Sequence, residues 1–250
     1  MQEADLVALG YDWETARRIL KLLSDTEQMN WYTSAAARRN CFPVTRVSPE
    51  YPSVLQRLGD ERPGCLWAKG DVSLLTKPAV ALVGSRDLRQ DNEAFAAEVG
   101  RQAACQGFVL VSGNARGADK TAQQACLDAG GQVISVVADE LQKHAYSEGI
   151  LYLSEDGFDL PFSTPRALSR NRIIHALGTL TFVAQCGFYQ GGTWDGTERN
   201  LRKNISPVCC YDDGSRAARE LAQMGAVLIR LEELMDIPTL SRGNGGFFGG

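Results

Sequence analysis

The feature that most constrains this chain is a repeated alternation that begins at Ala79. Seven short apolar runs, Ala79 to Val83, Phe108 to Val111, Gln132 to Val137, Ile150 to Leu153, Leu180 to Ala184, Val208 to Tyr211 and Ala226 to Ile229, are separated by segments of helical character. Several runs are apolar at every position, so both faces of each strand must be covered. That requirement predicts a parallel sheet between two helix layers. The first intervening helix is expected over Asp91 to Gln106, with Phe95 and Val99 one turn apart and Gly107 as its terminating glycine. The fold class is α/β, a doubly wound and mostly parallel sheet.

The rest of the chain is read around that body. Residues 1–40 carry Leu6, Leu9, Ile19, Leu20, Leu22 and Leu23 at helical spacing, with Asp12 placed to cap a helix after Gly10, and predict a small helical domain. Residues 41–78 are punctuated by Pro43, Pro52, Pro63 and Pro78 and predict a connector with short strands. The main body spans 79–238. Residues 239–250 end in a glycine-rich stretch and are expected to be a flexible tail. With 44% hydrophobic and 22% charged residues among 250, the chain is neither disordered nor collagenous. A net charge of -4 excludes a protein coated in positive charge. Two histidines, His144 and His175, and seven cysteines without C-x-x-C spacing leave little material for a metal site or a disulfide framework. No basic signal-peptide start and no run of 18 apolar residues is present, so a cytoplasmic protein without a membrane partner is expected.

In doubly wound sheets ligands sit beyond the carboxyl ends of the strands, so the loops there are the candidate site. Gly84-Ser85-Arg86 follows the first run and offers bare amides and a guanidinium to an anion, or forms a tight turn with a solvated arginine. Ser112-Gly113-Asn114-Ala115-Arg116-Gly117-Ala118-Asp119 follows the second and is a further anion cradle; Asp119 either bonds a ribose or anchors the loop. This second loop is no Walker A motif, because Lys120 lies three positions past Gly117. Arg170-Asn171-Arg172 opens an apolar helix. Gly191-Gly192-Thr193 lies in a glycine-rich turn with Phe188, Tyr189 and Trp194. His175 is read as a packed residue, and Cys209 and Cys210 as neighbours on opposite strand faces.

Between Pro161 and Ile205 stand Arg166, Arg170, Arg172, Arg199, Arg202 and Lys203 against Asp195 and Glu198, a local +4 in an acidic chain. Cations interleaved with Phe162, Phe188, Tyr189 and Trp194 suit single-stranded nucleic acid, by phosphate neutralisation and base stacking.

Taken together, Val83-Gly84-Ser85-Arg86, the 112–119 loop, Arg170-Asn171-Arg172-Ile173-Ile174 and Gly191-Gly192-Thr193 resemble the ordered blocks of the DprA/Smf DNA-processing family. Tyr51-Pro52 with Leu55, and Leu66-Trp67-Ala68-Lys69-Gly70, resemble the approach to the fold in that family. The resemblance implies an extended Rossmann fold that binds single-stranded DNA, forms a homodimer and hands DNA to the recombinase RecA during natural transformation. It implies a DNA pocket of Gly84, Ser85, Arg86, Ser112, Gly113, Arg170, Arg172 and Gly192; the loop and charge reading adds Arg116, Gly117, Asp119, Asn171, Gly191, Thr193 and Lys203 to the expected DNA- or phosphate-binding set, with no catalytic residue, metal or cofactor expected. Ala184-Gln185 departs from the family's glutamate-alanine pair, and no winged helix follows the main body. Gly191 to Glu198 is also similar to the glycine-rich loop of LOG-type nucleotide phosphoribohydrolases, with the spacing altered. The alternatives are therefore a nucleotide sensor or a phosphoribohydrolase using Glu198, or a DNA-binding component of a defence system.

Overall fold

The computed structural model describes residues 2–243. Three helices come first, α1 (Glu3–Ala8), α2 (Trp13–Ser24) and α3 (Thr26–Ala37). Asp12 caps α2, its carboxylate accepting the Thr15 amide at 2.8 Å. Strands β1 (Phe42–Thr45) and β2 (Cys65–Lys69) follow, separated by a 3₁₀ segment. The body then runs β3 (Ala79–Val83), α4 (Gln90–Cys105), β4 (Val109–Ser112), α5 (Ala118–Asp128), β5 (Gln132–Val136), β6 (Ile150–Ser154), α6 (Thr164–Leu177), β7 (Thr181–Val183), α7 (Gly191–Lys203), β8 (Val208–Tyr211), α8 (Arg216–Gln223), β9 (Val227–Ile229) and α9 (Ile237–Gly243).

The nine strands among the described residues form one sheet in the order β1-β2-β6-β5-β4-β3-β7-β8-β9. From β6 to β9 every pairing is parallel, while β1 and β2 add an antiparallel edge. Strand periodicity explains the two layers. Val80 and Leu82 face Phe95, Ala96 and Val99 of α4 and Ala118 and Ala122 of α5. Ala79, Ala81 and Val83 face Ile173, Ile174 and Leu177 of α6 and Trp194 of α7. The central strands thus bury two apolar faces, which is why their runs lack polar alternation. Cys209 and Cys210 fall in opposite layers for the same reason.

Three boundaries differ from the sequence expectation. Segment 41–78 is not set apart from the body, because β2 pairs with β6 through Trp67↔Ser154 to Lys69↔Tyr152. Trp67 also stacks edge-on with Tyr32 of α3 at 5.3 Å and packs on Phe158, which joins the helical N-terminal part to the sheet edge. The flexible tail expected over 239–250 does not hold for its first residues, where α9 continues to Gly243 and Leu240 packs on the core; residues 244–250 lie outside the described residues. The turn at Gly107 is as expected, with a φ of 77° that a side chain would resist.

Candidate functional site

The strand order reverses between β3 and β7: β4 to β6 continue on one side of β3, and β7 to β9 on the other. A crevice opens at the carboxyl ends of these two strands, as the topology requires. Its walls are tied by backbone groups. The Ser85 amide donates to the Gln185 carbonyl at 2.9 Å, the Thr193 hydroxyl to the Gly84 carbonyl at 3.0 Å, and the Asn171 amide nitrogen to the Gly192 carbonyl at 2.9 Å. Gly117, at φ 83°, lets the two anion loops touch; a Cβ there would collide with the Ser85 and Arg86 carbonyls. The resulting cleft has a volume of about 490 Å³ and brings together Gly84, Ser85, Arg86, Asp119, Arg170, Asn171, Gly191, Gly192 and Thr193. A second lobe of about 310 Å³, lined by Asn114, Arg116 and Asp139, shares Arg86, Phe162 and Arg170 with the first.

Arg170 stands where the lobes meet. Its side chain is 12% exposed and lies 4.0 Å from the Asp119 carboxylate, yet its Nε and Nη1 are buried and meet no hydrogen-bond partner among the described residues. Gly113 makes room for it, since a Cβ there would strike both the guanidinium and the Asp119 carboxylate. Burial works against the Arg170 charge, Asp119 favours it, and nearby Arg86 opposes it. Burial likewise pushes the Asp119 carboxyl above its ordinary range, against the pull of Arg170 and of the Ala115 and Gly113 amides. Arg86 is exposed at the rim. Across the cleft α7 begins at Gly191 with no side-chain cap, so its first-turn amides keep unsatisfied donors and the positive end of the helix dipole. Two guanidiniums and an uncapped helix start can hold an anion.

Other expected residues hold the loops or lie elsewhere. Ser112 is fully buried in β4, where its hydroxyl accepts from Gln123, which also binds the Gly113 carbonyl. Asp119 anchors its own loop by accepting the Ala115 amide at 3.1 Å. Arg116 reaches the second lobe but pairs with Asp87 at 2.6 Å. Arg172, two positions from Arg170 and therefore on a different side of α6, forms a bidentate pair with Glu155 and donates to the Glu61 carbonyl. It does not line either lobe. Lys203 sits at the far end of α7, about 18 Å along the axis from its start, and pairs with Glu61.

The local +4 does not survive folding as a basic face. Arg166 pairs with Asp156, Arg172 with Glu155, Arg199 and Lys203 with Glu61, and Arg202 with Glu198. Four of those five pairs use acids that are distant in sequence or outside the 161–205 window. Of the aromatic residues, Trp194 is buried, Phe188 packs under Arg216 at 4.0 Å, Tyr189 is exposed, and Phe162 lines both lobes. Glu198 pairs with Arg202 at 2.6 Å and is not among the residues that line the cleft.

Sequence reading missed two contributors. Gln185 clamps the first loop, its carbonyl taking the Ser85 amide and its side chain bonding the Arg89 amide and the Asp87 carbonyl. It occupies the departure from the family's glutamate-alanine pair, which was the available signal. The imidazole of His175 forms part of the cleft floor and belongs to a buried network with Asn200, Thr181 and Ser206. No sequence pattern announces that network, because its members come from α6, β7, α7 and the loop before β8.

A doubly wound sheet with an anion cradle at its switch point defines a Rossmann-like binding protein. The chain belongs to a particular family of that class: residues 43–237 match the model of DNA recombination-mediator protein A. The chain is 32% identical over 206 residues to the DNA processing protein DprA of Bacillus subtilis (strain 168), an alignment spanning 76% of this chain and 68% of that one. Among solved structures it resembles the DNA processing protein A of Streptococcus pneumoniae, with a TM-score of 0.76, 25% identity, and coverage of 95% of this chain and 87% of that one. The Helicobacter pylori DNA processing protein A, solved for its single-stranded DNA binding mode, matches in fold with a TM-score of 0.67 and 22% identity over 80% of this chain and 95% of its own.

Proposed function

We propose that this chain is a DNA-processing protein that binds single-stranded DNA in the switch-point cleft and serves natural transformation and recombination. The observation that carries the reading is Arg170: a guanidinium with two buried nitrogens that have no partner among the described residues, set between two lobes and beside a second arginine, the exposed Arg86. Buried donors of a charged group call for a charged acceptor, and a phosphodiester supplies it. The uncapped start of α7 adds amides for the same backbone, and Phe162 at 55% exposure offers a ring to a base. Membership in the recombination-mediator family supports DNA over other polyanions. In this reading the protein acts in the cytoplasm as a homodimer and passes its DNA to RecA. No described helix is long and apolar enough to cross a membrane.

Fluorescence anisotropy with a labelled oligonucleotide tests the assignment. Arg170→Ala and Arg86→Ala are each expected to weaken binding about tenfold or more. Arg172→Ala is expected to lower thermal stability, by breaking the Glu155 pair, while leaving affinity within about twofold at a temperature where it is folded. Unchanged affinity in both Arg170→Ala and Arg86→Ala would refute the site.

A further inference from the structure

We infer that the second lobe takes a nucleobase rather than a phosphate, with Asp139 accepting the paired N–H donors of guanine and Phe162 stacking on its ring. The inference rests on the reading of the cleft as a DNA site. Its starting point is a carboxylate set among cations. Arg86, Arg116 and Arg170 line this lobe, and Asp139 lines it with them, its side chain 49% exposed and open to a ligand. A phosphate held by Arg86 and Arg170 is repelled by that carboxylate if it moves further into the lobe, whereas an N–H group is attracted.

The carboxylate is held in place. His144 Nε2 lies 2.9 Å from Asp139 Oδ1, and since a carboxylate only accepts, the imidazole donates. The His144 ring is fixed in turn by stacking on Tyr152, with 4.7 Å between centroids. That bond occupies one acceptor position of Oδ1, and Oδ2 meets no donor among the described residues. Arg166 then sets the separation of carboxylate and ring. Its Nη1 donates to the Ala138 carbonyl at 2.9 Å and to the Pro161 carbonyl at 2.7 Å, the residues immediately before Asp139 and Phe162. One guanidinium thereby ties together the two loops that present an edge acceptor and an exposed ring to the same lobe.

Bases of a single strand are read by stacking and on their Watson–Crick edges. On that edge guanine offers two adjacent donors, N1–H and the 2-amino group, which match the remaining acceptor positions of a carboxylate. Adenine and cytosine offer one amino group beside a ring nitrogen that a carboxylate repels, and thymine offers one N–H between two carbonyls. The lobe should therefore prefer guanine.

The experiment compares oligothymidylate strands that carry one central guanine or one hypoxanthine, which lacks only the 2-amino group. The protein is expected to bind the guanine strand about tenfold more tightly. Asp139→Asn keeps the size of the side chain and should bring the two affinities within about twofold of each other. In the unsubstituted protein the Asp139 carboxyl carbon resonance should move further with the guanine strand than with the hypoxanthine strand, which decides the matter if the Asn variant does not fold. Equal affinity for the two strands, equal movement of the resonance, or a preference that persists in folded Asp139→Asn would overturn this inference alone. Guanosine monophosphate should displace the guanine strand only at far higher concentration, and displacement at equal concentration would overturn a strand as the source of the base. Failure of both strands to bind would overturn the DNA reading as well.

Discussion

At the scale of single residues, the site depends on buried charge and on side chains that are missing. Arg170 reaches its position over Gly113, and Asp119, whose carboxyl burial would otherwise neutralise, faces it at 4.0 Å. His175 shows the opposite treatment of a titratable group, being kept uncharged. An unfolded histidine takes a proton near pH 6.5, while the folded imidazole resists until about 3. Protonation therefore favours the unfolded chain. The contribution of this group to stability is complete above pH 6.5 and is lost as pH falls through the window down to 3. Between pH 7 and pH 5 the loss should be about 2 kcal/mol, from a gap of about 1.5 pH units below the unfolded value. Urea unfolding at the two pH values should show that decline in the natural protein and a smaller one in His175→Gln. A decline of equal size in both would show that His175 does not carry it.

Among elements, helix packing sets how closely the loops meet. The α4 and α5 helices approach through Gly100, where a Cβ would strike the Ala122 carbonyl group of the facing helix. Intrinsic propensity would reward alanine inside a helix by about 0.8–1.0 kcal/mol over glycine. Overpacking against fixed backbone costs about 1–3 kcal/mol and wins. Gly100→Ala should therefore lower Tm by roughly 3–6 °C in a calorimetric scan; a raised Tm would show that the helices separate freely. Because α5 carries Asp119 in its first turn, the same contact helps hold that carboxylate under Arg170. The α7 helix illustrates a division of labour along one element. Its uncapped start faces the cleft, its middle supplies Trp194 and Asn200 to the interior, and its last turn brings Lys203 to Glu61.

For the whole molecule, charge is the property that folding redistributes most. Six cations within 161–205 would give single-stranded DNA binding a log-log salt slope of about -4, whereas Arg86 and Arg170 alone give about -1.4. The structure favours the shallow value, since the other five cations of that stretch are paired with carboxylates. Affinity measured over a series of salt concentrations should give a slope between -1 and -2, and a slope near -4 would mean that those ion pairs open on the DNA. The strands were legible in sequence because a parallel strand covered on both faces must be apolar throughout, and Ala79–Val83 and Val208–Tyr211 have the expected limits. The loops after β3 and β4 were legible too, since glycine beside arginine at a strand end is a local pattern. Short-range periodicity and local composition were enough to fix the two helix layers and the strand-end loops that carry Arg86 and its glycines, with Arg170 at the start of an apolar helix. Long-range contacts decide where the strand order reverses, that Arg172 and Lys203 serve ion pairs, that β1 and β2 extend the sheet, and that His175 joins a buried network with Asn200. Each depends on partners such as Glu61, Glu155, β6 or Asn200 that are remote in the chain, and no local spacing records which distant groups will meet.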